Sequence, residues 1–168
     1  MPSDMDDVSR KIMQLEIERA ALNKETVDPI TRKGICVLDL DTVMPGLSAM
    51  DFGDSIRFGA ATANEDEKDA SKNSLDLHLF EVYTRGFLEA AHNLTDTEVE
   101  MLPMGALVVS LELATRFLKD YLDGDRYFRI HYPNHNLVRT RSQIALAADI
   151  QKKLPEMERI VKKVRSTL

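Results

Sequence analysis

The sequence predicts a mainly α fold with one short β region at 33–40, preceded by an N-terminal amphipathic helix. Three observations lead there. Long stretches repeat apolar residues at three- and four-residue steps, which puts them on one face of a helix. A single short run, Ile35-Cys36-Val37-Leu38 behind Gly34, has the β-branched, apolar make-up of a buried strand. Capping and breaking residues divide the remainder into helix-length pieces.

The elements follow in chain order. Met5, Val8, Ile12, Leu15 and Leu22 form an apolar seam on a helix of about six turns, with Arg19 interrupting it. Ser3 or Asp4 caps its start, and Asp4, Asp6 and Asp7 suit the positive end of its dipole. Asp28 precedes Pro29 and is pushed out of helical conformation, so the helix ends there. The strand at 33–40 then runs into two carboxylates, Asp39 and Asp41, before Pro45-Gly46 opens a turn. Carboxylates at the mouth of a buried strand are costly to desolvate unless a cation meets them. From spacing alone, solvated aspartates capping the turn are the favoured reading. A magnesium ion bridging phosphates is the other.

Residues 51–61 read as a helix with Asp51 capping its first turn, and 64–73 as a charged, solvated loop. Leu75, Leu79, Val82, Tyr83, Phe87 and Leu88 predict an amphipathic helix ending near His92-Asn93. Thr95-Asp-Thr-Glu98 is a capping box. A short helix follows it and breaks near Pro103. The most apolar long segment, 105–122, reads as the central helix of a bundle, ended by Gly124. Two more helices are expected over 137–153 and 156–164, with Pro155 starting the second. Within the central helix Arg116 and Asp120 are four apart, the spacing of a structural ion pair. His78, His92 and His131 show no metal-ligand spacing and read as surface residues.

Composition excludes several function classes. At 168 residues, 43% hydrophobic and 30% charged, the chain suits one modest globular domain. A net charge of −6 without a basic run argues against a nucleic-acid surface. One cysteine, Cys36, forbids an internal disulfide and suits a reducing compartment. No segment approaches the roughly 18 uncharged apolar residues that a membrane span needs, and the acidic N-terminus is unlike a secretory signal. The expected location is cytoplasmic.

The segment Val37-Leu-Asp-Leu-Asp-Thr-Val-Met-Pro-Gly46 with Asp51-Phe-Gly-Asp54 resembles the metal-binding segment of the aminoglycoside-phosphotransferase-like kinases, specifically the N-acetylhexosamine 1-kinase group. Arg116-Phe-Leu-Lys-Asp-Tyr-Leu-Asp-Gly-Asp125 and His135-Asn-Leu-Val-Arg-Thr-Arg-Ser-Gln143 match the same group in the same order. The resemblance runs from about Asp28 onward and implies the helical C-terminal lobe of a protein-kinase-like fold over 27–168. It implies Mg2+ and ATP as cofactors and a hexosamine-type sugar as substrate. Asp39 is then the first choice for the magnesium ligand, with Asp41 assisting. Asp51 becomes the buried helix-start aspartate that holds the catalytic loop. Arg116, Asp120, Tyr127, His135, Asn136 and Arg139, with Arg141, fall in the blocks beside the sugar. Without the resemblance, the polar residues from His135 onward read as exposed loop.

Residues 1–25 resemble something different, the start of the coiled-coil middle domain of ClpB-type disaggregases, which makes 1–26 a unit unrelated to the rest. No G-x-x-x-x-G-K-[ST] accompanies it. Nor do the 168 residues contain a G-x-G loop, or a His-x-Asp followed by Asn ahead of Asp39. Phosphoryl transfer depends on such positioning groups. The expectation is therefore a phosphotransferase fragment, inactive alone because the N-lobe and catalytic loop are missing. Apolar surface left exposed by the missing lobe, and the seam of the first helix, invite self-association. The alternative is a non-catalytic helical interaction module that uses the first helix to oligomerise.

Overall fold

The computed structural model describes Thr31 and residues 45–168. The expected first helix, the β region at 33–40, Cys36, Asp39 and Asp41 lie outside the described residues. Contacts separate Met1–Gly46 from Leu47–Leu168, and the second unit is the one built up below.

That unit is mainly α. Its helices are α1 (Ser48–Gly59), α2 (Leu77–Ala90), α3 (Asp96–Leu122) and α4 (His135–Arg165), with a 3-10 turn at Ala70–Lys72. Among the described residues the only extended pairing is an isolated antiparallel bridge between Ala61 and Leu75. The capping box at the start of α3 forms as the spacing predicts: Thr95 Oγ1 accepts from Glu98 N and Glu98 Oε2 accepts from Thr95 N. Asp76 caps α2 by accepting from the amides of His78 and Leu79. Gly124, at φ +88°, terminates α3.

Both interior prolines depart from the expectation of breaks. Pro103 sits inside an unbroken α3 and Pro155 inside an unbroken α4, so two expected pairs of helices are two long ones. A proline costs a helix interior about 3 kcal/mol, which tertiary packing can override. Pro103 is buried where α3 packs between α1 and α4. Pro155 is exposed, as is Gln151 one turn earlier.

α1 starts at Ser48, three residues before the expected position, after an N-cap at Leu47 that makes no side-chain bond. Its inner face places Phe52 at the centre of the core. The Phe52 ring meets Phe80, Tyr83 and Phe87 edge-on with centroids 5.9, 5.5 and 5.1 Å away. Leu102, Leu146, Ile150, Met157 and Val161 complete this core.

α1 and α3 approach unusually closely because both lack a side chain at the crossing. A Cβ on Gly105 would lie 1.9 Å from the Ala49 carbonyl oxygen, and one on Gly53 would lie 2.5 Å from the Gly105 carbonyl. α3 is not apolar only toward the bundle. Met101, Val108, Leu111, Leu118 and Leu122 are exposed on its outer side, whereas the pattern alone suggests a helix in the middle of the bundle. α3 is also long and apolar enough to cross a membrane by length and composition alone. Glu112 and Arg116 interrupt it, so it is not an uncharged stretch of the kind excluded above. In the folded unit 44% of this apolar stretch is buried.

The helix crossing yields the first prediction. Gly105→Ala pushes α1 off α3 and lowers stability by about 1–3 kcal/mol, the usual cost of overpacking. The midpoint of urea denaturation followed by circular dichroism measures it, and Gly59→Ala, with no atom within 4 Å of its Cβ, is the control.

Candidate functional site

Among the described residues, the polar groups singled out by sequence converge where the end of α3, the 123–134 connection and the start of α4 meet. Asp120 organises this region. It is 5% exposed, and its carboxylate accepts backbone N–H bonds from Arg126, Tyr127 and Phe128 at 2.9, 2.8 and 2.9 Å. Asn136 Nδ2, from α4, donates to the same carboxylate at 2.8 Å and to Asp125 Oδ1 at 2.8 Å. Gly124 and Asp125 have consecutive positive φ values, 88° and 56°, which turns the chain back over Asp120. Burial alone would raise the carboxyl pKa. The amide bonds from Phe128, Tyr127 and Arg126 and the Asn136 amide outweigh it and hold the group below its ordinary 3.8.

The expected Arg116–Asp120 ion pair does not form. With its acceptor sites turned toward the loop amides, Asp120 leaves Arg116 to lie over aromatic rings. The Arg116 guanidinium is 5.9 Å from the Tyr127 ring centroid and 5.6 Å from that of Phe128. Phe128 packs on Phe117 at 4.7 Å. An open groove of about 880 Å3 results, lined by Arg116, Lys119, Asp123, Arg126 and Tyr127 above the buried Asp120. Tyr127 is 74% exposed, so its phenol is available to a ligand.

His135 and Asn136 are not exposed loop residues. They form the buried first turn of α4, behind Asn134 in a left-handed conformation. His135 Nδ1 accepts from the His131 amide at 3.2 Å, which leaves Nε2 as the protonated nitrogen facing Asp66 Oδ2 at 3.2 Å. Burial, then the neighbouring Arg139 charge, pushes the His135 pKa below 6.5 against the pull of Asp66. Arg139 donates to the Arg129 carbonyl and to Asn136 Oδ1, and its guanidinium lies 5.3 Å from the Phe117 ring. Arg139 and Asn136 thus build the wall of the groove from behind. Arg141, His78, His92 and His131 are exposed.

Asp51 is exposed in the first turn of α1, and among the described residues its carboxylate accepts no hydrogen bond. The expected buried cap is therefore corrected: the helix begins earlier, so Asp51 lies past the position where a side chain reaches the free amides.

The sequence reading missed Arg57, which is 5% exposed. It binds Asp54 at 2.9 Å, Glu65 at 2.9 Å and the Gln143 side-chain carbonyl at 3.4 Å. Glu65 also approaches Arg139 at 3.8 Å. Asn73 donates to Ser142, and Asp149 accepts from the Leu75 amide. The expected solvated loop at 64–73 is instead pinned to α1 and α4 by these polar contacts. The (i, i+3) Asp54–Arg57 spacing was the one local signal. No protein-family model matches the chain. Among the described residues, no cluster of His, Cys, Asp and Glu could hold a metal ion.

Two outcomes test this geometry. Asp120→Ala frees the 126–128 amides, so their hydrogen exchange accelerates toward the rate of open loops while the amides of α2 keep their protection. His135 sets a pH dependence. Its folded pKa lies below the unfolded value of 6.5, so its contribution is complete above that pH. It is lost as pH falls from there through the folded pKa, because the unfolded chain takes up the proton first. Thermal melts at stepwise lower pH show this decline, and His135→Gln flattens it.

Proposed function

We propose that residues 27–168 are a C-terminal-lobe fragment of a sugar phosphotransferase resembling the N-acetylhexosamine 1-kinases. In this reading the groove beside Asp120 takes the hexosamine, and Asp39 with Asp41 takes the magnesium of Mg-ATP. The observation that carries it is the groove itself. A buried carboxylate folds residues 124–128 into a turn that sets Arg116 and Tyr127 on an open cleft. Arg116 supplies planar N–H donors to sugar hydroxyls, and the exposed Tyr127 ring supplies an apolar face for the pyranose. Asp120 acts through the turn rather than on the sugar, since its acceptor sites are occupied.

These 168 residues hold no G-x-G phosphate-covering loop and no His-x-Asp followed by Asn ahead of Asp39. Positioning and electrostatics supply most of the acceleration in phosphoryl transfer. The chain alone is therefore a binding unit with negligible kinase turnover.

Titration of the 15N-labelled chain with N-acetylglucosamine and N-acetylgalactosamine tests the sugar site. Saturable amide shifts centred on 126–128, weakened about tenfold or more in Arg116→Ala, are expected. Absence of shifts at these amides overturns the assignment. For the nucleotide, calorimetry should show Mg-ATP binding that disappears in Asp39→Ala. Phosphate transfer by the isolated chain would contradict the inactive reading.

A further inference from the structure

The outer face of α3 is mostly apolar from Met101 to Leu122, on the side opposite the core. Met101, Val108, Thr115 and Leu122 repeat every seven residues, and Met104, Leu111 and Leu118 repeat every seven between them. This is a three-heptad a/d seam. Val108 and Leu111 are 41% and 47% exposed, and Leu122 is 74% exposed. Met104 is half-buried and Thr115 exposed. The one polar member does not oppose burial, because Thr115 Oγ1 already donates to the Leu111 carbonyl at 2.8 Å.

We propose that this seam is a homodimer interface, with α3 of one chain pairing in parallel and in register with α3 of a second copy. The pairing rules choose the occupant. β-branched residues at the a positions, here Val108 and Thr115, with leucine at d, here Leu111 and Leu118, favour two parallel strands. In that register Leu107 flanks Glu112 of the second copy, so no like charges meet there, and Ala114, at the next such position, is buried within its own chain. Each seam residue lies against its own equivalent, which makes the contact isologous and closed. The strip is about 33 Å long and about 10 Å wide. That is small beside the roughly 800 Å2 per partner of a standard interface, so the dimer is reversible. This inference does not rest on the sugar or nucleotide reading, although Leu122 and Lys119 border both the seam and the groove.

Sedimentation equilibrium of the full chain, from micromolar to sub-millimolar concentration, is expected to show a monomer–dimer equilibrium. Leu111→Glu weakens it about tenfold or more, with an unchanged far-ultraviolet circular dichroism spectrum because the side chain is exposed. Leu15→Asp leaves it unchanged. In a Cys36→Ala background, Thr115→Cys forms a disulfide-linked dimer on mild oxidation, since a–a′ positions of a parallel pair fall within disulfide reach. This cross-link decides the matter if Leu111→Glu fails to fold. A monomer at every concentration overturns the proposal. So does a dimer abolished by Leu15→Asp but indifferent to Leu111→Glu, or one in which Thr115→Cys does not cross-link. Leu111-dependent flotation with phosphatidylcholine vesicles in the absence of a dimer would assign the seam to lipid instead.

Discussion

A carboxylate cannot be buried at the end of α3 unless its oxygens are satisfied, and the way Asp120 is satisfied shapes everything around it. Three consecutive loop amides and the Asn136 side chain close on it. One residue thereby determines where α3 stops, how the chain turns back and where α4 begins. Because N–H donors consume its acceptor sites, Arg116 four residues earlier is released from the obvious ion pair to lie over Tyr127 and Phe128. The groove is a consequence of the bonds that keep this carboxylate ionised. Repacking the rings alone would not produce it.

The same logic extends one layer back. Asn136 is shared between Asp120 and Asp125, Arg139 bonds to Asn136, and Arg139 approaches Glu65, which also holds Arg57. Polar groups from α1, the 64–73 connection, the 123–134 connection and α4 thus form a connected series behind the groove. Buried charges of this kind contribute little net stability when paired and cost much when a partner is removed. Their effect here is positional: they hold connections that have no regular hydrogen-bond ladder of their own.

Local signals were legible in the sequence and non-local ones were not. The Thr95–Glu98 capping box, the Gly124 stop and the period of α2 depend on residues within a turn or two of each other, and each appears where the pattern places it. Pro103 and Pro155 carry an equally local signal, for a break. It fails because packing on α1 at one site and exposure to water at the other remove the reason to break. The 64–73 connection reads as solvated because its polar groups find partners far along the chain: Asn73 at Ser142 and Asp66 at His135, each 69 residues away, and Glu65 at Arg139. Burial of His135 and Asn136 was hidden for the same reason. Arg116 and Tyr127 were chosen from a resemblance, and spacing alone pointed Arg116 at the wrong partner.

α3 shows how one helix can be apolar on two sides for different reasons. Its inward side carries Gly105, Ala106, Ser110 and Ala114, small residues that let α1 and α4 come close. Close approach gains dispersion contacts between backbones, but small side chains bury little surface of their own. Val99 and Leu102 also face the core, but Val108, Leu111, Leu118 and Leu122 lie on the other side, where they are exposed. A helix that needed only to anchor this unit would carry charged residues on that outer side. Leucine, valine and methionine at heptad spacing on the outer face therefore require an explanation from outside the unit's own packing, and a matching surface supplies one.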